Sequence, residues 1–486
     1  MKKTYKIAII LIVIFFLSTT GLSKELKSTN LSDIDPLVDL TITVDILKIR
    51  SLEHDDPQLH FREIIDKKTD PDFYTKIIVN GKEYTSDIYW NTRYIYENLP
   101  SITVDVPDNI ESVDIKIQLW DAKDEWALYD RLCDISPDDG TSTDAFDAEI
   151  SYNLKTGHWT RDDYVGDISG YGRLNGCEDG TIYEADRDCE LWFDITFNDF
   201  DSDGIPYFIE TNQLYTDPLV DDSETDFDED IIPTWWEFRY NYNPKSYDEH
   251  DKIDNELDGI INLNEYRTYE WFSDPYTKDL FVEMDQMEQG PNGELCIFPE
   301  ISKEMLYTAY DRQNVVFHID DGQWLEESGS EFIPFDDLST YSELIGIQNQ
   351  YFYDNSPQPW RKDVFHYGVV VFRNDRAPGM AFRRNAYQIS AGDLDDLAIE
   401  HGYDRDVVYA SAYMHEMGHN LNFRPIPGHG KLGWLIRIII PVYKSCMSYG
   451  MIYRMCDYSD GSRPFINSFI GDYNDWGRMD LTHFRN

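Results

Sequence analysis

The sequence is poor in positive charge: its 486 residues carry 42 Lys and Arg against 92 Asp and Glu, a formal charge of −50. A nucleic-acid surface needs clustered cations to displace counterions, so this deficit excludes a polyphosphate binder. Long apolar runs are also scarce. The N-terminal run 7–17 is shorter than the ~20 residues that span a bilayer, and the later run 432–442 is broken by Arg437 and Pro441. No GxSxG elbow is present, which removes the usual serine nucleophile of lipid hydrolases. Cysteine is limited to six residues, none in a CxxC zinc pattern.

Packing material is plentiful. Apolar residues make up 41% and aromatics 15%, with 34 Tyr and 12 Trp, too many for an acidic disordered chain. A chain of this length divides into two or three domains. Its acid either hydrates a folded surface or binds divalent cations.

Lys2, Lys3 and Lys6 precede the first apolar run and Ser18, Gly21 and Ser23 follow it, the layout of a secretory signal peptide over 1–23; an uncleaved anchor is the alternative. Cleavage after Ser23 removes three Lys and no acid, leaving 39 cations against 92 anions. The mature chain is then expected outside the cell or on its surface, with no transmembrane span. In an exported chain disulfides are the default, and Cys177–Cys189 and Cys446–Cys456 are the local pairs.

Residues 36–197 read as an all-β sandwich, with short alternating runs at 42–47, 76–79, 101–106 and 113–120 between Asp, Pro, Gly and Asn turns. DPDFYTKIIVNG (70–81) and VDIKIQLWDAKDEWALYDRL (113–132) resemble the calcium-dependent lipid-binding domains of the C-two type. The resemblance implies a calcium site from Asp70, Asp72, Asp121 and Asp130. Lys123 stands where that family continues Asp-x-Asp, and the same aspartates also fit ordinary turns.

Residues 198–274 carry 22 acids against 4 bases. Three units recur there: DFDSDGIPYFIE (199–210), DFDEDIIPTWWE (226–237) and DNELDGIINLNE (254–265). Each places carboxylates at positions 1, 3 and 5, an apolar residue at 7 and Glu at 12, the spacing of a twelve-residue calcium loop. The expected ligands are Asp199, Asp201, Asp203 and Glu210; Asp226, Asp228, Asp230 and Glu237; and Asp254, Glu256, Asp258 and Glu265. Ile231 replaces the turn glycine found at Gly204 and Gly259. An acidic solvated linker would not repeat Glu at position 12 or interleave Trp and Tyr. The array resembles bacterial and archaeal thrombospondin type 3 repeats, which implies that calcium organises a stretch with little core of its own.

From 276 to 486 the pattern is mixed α/β, with strands expected at 279–284, 315–319, 364–372 and 381–390 and helices at 303–312 and 404–422. The last helix carries HEMGH. His415 and His419 are one turn apart and can grip one zinc, with Glu416 beside them as general base. No Glu follows Glu416, so the third ligand is sought among His429, His483 and the aspartates from Asp457 onward. His429 is nearest and is favoured, with Asp457 next.

HEMGH together with KSCMSYG resembles the metzincin metallopeptidases, in which a Met turn lies beneath the zinc. The resemblance covers roughly 276–486 and implies that Met447 packs under the metal and that Tyr449 stabilises the tetrahedral intermediate. An ordinary Tyr fits equally. Asn422 and Pro425 occupy the family's Gly and third-His positions, and a four-residue insertion would bring His429 into the latter role. The expected activity is a secreted, calcium-stabilised zinc endopeptidase acting on protein or peptide. The alternative is a non-catalytic, calcium-dependent adhesion protein with a degenerate peptidase domain.

Overall fold

The computed structural model describes residues 39–52, 70–123, 129–138, 145–163, 170–179, 187–322, 329–354, 358–423, 443–461 and 473–485. The expected signal segment 1–23, the apolar run 432–442 and His429 lie outside the described residues. No described helix is long and apolar enough to cross a membrane.

The N-terminal part is built from alternating strands. Thr41–Ser51 buries every second residue at its start, so Ile42, Val44 and Ile46 face inward. It pairs antiparallel with Cys189–Phe197 on one side and with Ser101–Asp105 and Tyr94–Ile95 on the other; Gly172–Asn175 extends the sheet beyond Cys189–Phe197. A second antiparallel sheet runs Lys82–Thr85, Phe73–Val79, Ser112–Asp121, Ala148–Asn153 and His158–Arg161, with Arg131–Cys133 also on Ser112–Asp121. Ile77, Ile115, Ile117 and Leu119 of this sheet share one core with Ile42, Val44 and Ile195 of the first. Two sheets closing on one core make a sandwich.

That core continues past the expected boundary at 197, taking in Ile205, Phe208, Ile209 and Leu214 of the first acidic unit. The seventh residue of each loop, Ile205, Ile232 or Ile260, is buried, and each enters a different core. The array is therefore pinned to the sandwich core at Ile205 and to the C-terminal core at Ile260, and between them it packs a small core of its own around Ile232, Trp236 and Tyr240.

The C-terminal part has a third sheet. Val315–Asp320, Lys278–Met287, Phe365–Val371 and Ala386–Ser390 lie side by side and parallel, Phe332–Ile333 joins Lys278–Met287, and Gly379–Arg383 adds an antiparallel edge. Phe365–Val371 is buried throughout, as helix-covered parallel strands are. The helices Glu300–Asp311, Ala391–His401 and Arg405–Asn420 accompany it. The expected strand at 381–390 is instead a hairpin, because the polar residues Arg384 and Asn385 turn the chain between Gly379–Arg383 and Ala386–Ser390.

Neither expected disulfide forms: all six cysteines are thiols. Cys133 and Cys189 are packed in the sandwich core and Cys296 and Cys446 in the C-terminal core, where thiols behave as small apolar groups. The Cys177 thiol points to Asp188 at 3.6 Å.

A buried charge cluster joins sandwich and C-terminal part. Arg50 binds Glu304 at 2.7 Å and Asp311 at 3.1 Å. Arg173 binds Glu190 at 2.6 Å and Asp311 at 3.4 Å, and Lys48 reaches Glu190 at 3.2 Å. Arg312 Nε donates to the Leu52 carbonyl at 2.6 Å. Breaking a buried pair leaves an uncompensated charge. Arg50→Met is expected to destabilise the chain by about 3 kcal/mol in chemical denaturation, and adding Asp311→Leu to recover part of that loss; equal stability of Arg50→Met and wild type would refute the coupling.

Candidate metal centres

The HEMGH helix begins where Asp404 accepts hydrogen bonds from the Asp406 and Val407 amides, at 2.9 and 3.3 Å, an N-cap that satisfies two otherwise orphaned donors. Val408, Tyr409, Tyr413, Met414 and Met417 fix it in the core. The rings of His415 and His419 stand 4.9 Å apart, nearly perpendicular at 87°. His415 Nδ1 lies 2.8 Å from the Cys446 carbonyl. That contact places the proton on Nδ1, the tautomer in which Nε2 could serve as a metal ligand. The helix stops at Asn420, and Asn422 takes the left-handed conformation with φ of 63°. Asparagine tolerates that region better than most residues, so the expected glycine position keeps its backbone role.

Met447 is fully buried against Gly418, where an added Cβ would run into its sulfur. The second expected turn therefore lies directly under the segment that carries both histidines. Glu416 is buried, accepts a hydrogen bond from the Ala381 amide of the edge strand at 2.8 Å, and is pushed up to about 8 by burial. Gly379 of the same strand leaves room for it, since a Cβ there would approach Glu416 Oε1 to 2.6 Å. Tyr449 is half exposed, with its ring 5.9 Å from that of His415. Asp457 is buried and accepts from the Trp476 indole at 3.1 Å. His483 lies in the C-terminal turn His483–Arg485, where Arg485 approaches Gly259 of the third loop. Sequence and structure thus bring His415, Glu416, His419, Met447 and Tyr449 together.

The acidic units close into loops through their first aspartates. Asp199 accepts from the Ser202 and Gly204 amides at 2.7 and 2.9 Å. Asp226 accepts from Glu229, Asp230 and Ile231, and Asp254 from Gly259 at 3.1 Å. Many of the remaining oxygens converge without donors. Among the described residues, Asp199, Asp201 and Asp203, Asp226, Asp228 and Asp230, and Asp254, Glu256 and Asp258 each form a group with ligand atoms within 4.8 Å of one another. Both oxygens of Asp201, Asp228, Glu237 and Glu256 and one each of Asp203, Glu210, Asp254 and Glu265 are buried without a hydrogen-bond partner.

Burial, with neighbouring carboxylates adding to it, pushes Glu210 up to about 8, Glu237 to about 9 and Glu256 to about 10. Orphaned, crowded carboxylates of this kind fit a divalent cation, which would replace the missing donors. Sequence reading missed three neighbours of these groups. Asp222 joins Asp203 and Glu210, and His250 joins Asp230 and Glu237; the charge of Asp279 bears on Asp258 and Glu265. All three lie outside the twelve-residue spacing, and only their recurrence 12, 13 and 14 residues after Glu210, Glu237 and Glu265 could have signalled them.

The expected calcium ligands of the sandwich behave differently. Asp70 pairs with Arg93 at 2.8 Å and Asp121 with Arg131 at 3.0 Å. Asp72 accepts from the Asn91 amide, and Asp130 from Tyr74 and the Lys123 amide. These carboxylates are occupied by the protein's own donors, which favours the turn reading of this loop.

No family model matches the chain, and no curated protein matches it. Solved structures with some likeness include human GIVD cytosolic phospholipase A2, 11% identical over 33% of this chain and 16% of that one, with a TM-score of 0.20. A C2 domain is 10% identical over 32% of this chain and 97% of its own, with a TM-score of 0.19. A domain of the same type from plant Extended Synaptotagmin 1 is 10% identical over 32% of this chain and 93% of its own, again with a TM-score of 0.19. The matched part spans only about a sixth of the phospholipase, and scores this low carry no argument about activity.

Ile231 holds φ of 89°, a left-handed position costly for a β-branched residue, while its side chain is exposed. Ile231→Gly is expected to raise stability by about 1 kcal/mol, the left-handed penalty less glycine's extra backbone entropy. A lower melting temperature in that variant would contradict the strain.

Proposed function

We propose that this chain is an exported zinc-dependent endopeptidase whose acidic loops bind calcium. The observation that carries the reading is the pair His415 and His419, perpendicular at 4.9 Å, with His415 Nδ1 held by a carbonyl and Glu416 buried beside them. Two imidazoles on one helix face, one of them with its tautomer fixed, and a carboxylate alongside fit a hydrolytic zinc site and would leave a third position for a residue such as His429. Bound zinc supplies a water of lowered pKa and an electrophile for the scissile carbonyl.

The chain's own residues do the rest. The Glu416 carboxylate, oriented by the Ala381 amide, would act as the base that takes a proton from the attacking water and passes it to the leaving amine. The Tyr449 hydroxyl donates a hydrogen bond to the carbonyl oxygen as it becomes an oxyanion. Met447 and the Cys446 carbonyl keep the histidines from moving as charge redistributes.

Calcium in the first and third loops supplies the positive charge that Asp201, Asp203, Glu210, Asp254, Glu256 and Glu265 lack. Its role is structural, because these loops join the sandwich core to the C-terminal core. Chelating calcium is expected to expose 198–274 to added protease before zinc is lost; unchanged cleavage in that segment would overturn the calcium assignment.

Glu416→Gln separates this reading from an adhesion protein with a silent site. The variant is expected to retain zinc and to lose about 100-fold or more of its activity on an unfolded protein substrate, on the order of a general base's contribution. Activity equal to wild type would remove Glu416 from the chemistry, and no activity in zinc-loaded wild type would favour the adhesion reading. Gly379→Ala is expected to lower activity with zinc content intact, by displacing the Glu416 carboxylate.

A further inference from the structure

We propose that the second loop is a transition-metal site, binding a zinc-class ion through His250 Nε2, Asp230 and Glu237 instead of calcium. Asp230 comes from the middle of the loop, Glu237 from the short helix Thr234–Arg239 that closes it and His250 from a later turn. Their ligand atoms lie within 4.8 Å of one another, and all three residues are buried. His250 Nε2 is 3.3 Å from Asp230 Oδ2 and 4.0 Å from Glu237 Oε1, yet it makes no hydrogen bond, and neither oxygen of Glu237 has a partner. Asp230 accepts only backbone amides, from Ile232 at 3.1 Å and Asp248 at 3.0 Å. Asp228, grouped with Asp230, also has two unpartnered oxygens and is the next carboxylate in reach.

An imidazolium in an ion pair would not account for these atoms. It would hydrogen-bond one carboxylate and leave Glu237 bare, whereas one metal ion satisfies Nε2 and both acids together. The ring is also mounted as a ligand. Asn262 meets Nδ1 at 3.0 Å through its amide nitrogen while its own Oδ1 is buried without a partner. Turning that amide over puts Oδ1 on Nδ1–H and directs the Nε2 lone pair at the acids, with the amide nitrogen moved into the place that Oδ1 had. Trp236 and Tyr242 pack against the imidazole, with ring centroids 5.7 and 4.8 Å away, so the site is walled by aromatics.

The choice of ion follows from the donors. Calcium takes six to eight oxygens from a loop that turns sharply at glycine. The second loop has Ile231 at the turn and an imidazole at the site, and imidazole with carboxylates suits zinc and its first-row neighbours. The backbone turns alike in the three loops, with φ of 85° at Gly204, 89° at Ile231 and 92° at Gly259, so the imidazole sets the second loop apart: no histidine joins the groups of the first and third loops named above.

The test counts zinc and calcium in the full chain after loading with zinc in excess calcium, for wild type, His250→Gln, and His415→Ala with His419→Ala. The expected counts are two zinc ions in wild type and one in each variant, with calcium unchanged in His250→Gln. This inference stands apart from the peptidase reading. If the HEMGH helix binds no zinc, wild type holds one ion, indifferent to His415 and His419 and lost in His250→Gln. Zinc unchanged by His250→Gln, or calcium filling the second loop, overturns the proposal. X-ray absorption of the zinc-loaded double variant guards against misfolding as the cause of a loss: a single imidazole among oxygen neighbours supports the site, and an oxygen-only shell refutes it.

Discussion

A carboxylate taken out of water needs positive charge beside it, and this chain has far fewer cations than anions. Its cations are used sparingly. Between sandwich and C-terminal part, Lys48, Arg50 and Arg173 neutralise Glu190, Glu304 and Asp311. In the sandwich loop, Arg93 and Arg131 answer Asp70 and Asp121. Deeper in the C-terminal part Arg361 serves Glu283 and Asp320 together. In the acidic loops no such partner meets Asp201, Asp228 or Glu256. The loops therefore gather buried oxygens that a cation from solution would satisfy, the role that the proposed function gives to metal ions.

The same constraint connects the parts of the molecule. The helix Glu300–Asp311 receives Arg50 from the sandwich at Glu304 and Asp311. On its other side it reaches the HEMGH helix, where Ser302 Oγ donates to the Asp406 carbonyl at 2.9 Å. The histidines thus stand on a helix that is capped, braced by a neighbour and underlaid by Met447. A site on rigid elements keeps its ligands in place without a metal to organise them. The acidic loops, where Asp201, Asp228 and Glu256 hold oxygens without a hydrogen-bond partner, are the opposite case.

Local chemistry was legible in the sequence. The Asp404 cap, the four-residue spacing of His415 and His419, and the loop closures by Asp199, Asp226 and Asp254 are set by residues within one or two turns of chain. Strand alternation in 41–51 and 112–121 likewise follows from period two. What escaped was whatever depends on distant partners. His250, Asp222 and Asp279 enter their groups from outside the loop spacing. The interface cluster joins residues more than a hundred positions apart, and single charges in alternating strands carry no mark of it. The hairpin at 379–390 was read as one strand because both of its arms are apolar, and the cysteines were paired by proximity in sequence although most of them pack into cores.

The central claim is that a zinc ion sits on the HEMGH helix within a chain otherwise supplied with charge by its cations and by metal ions in its acidic loops. Diffraction from crystals of the full chain, recorded on both sides of the zinc absorption edge, tests it directly. The account predicts an anomalous peak shared by His415 and His419, at ~2.0–2.1 Å from their Nε2 atoms. Density for cations in the acidic loops with no zinc peak between those two histidines would contradict it.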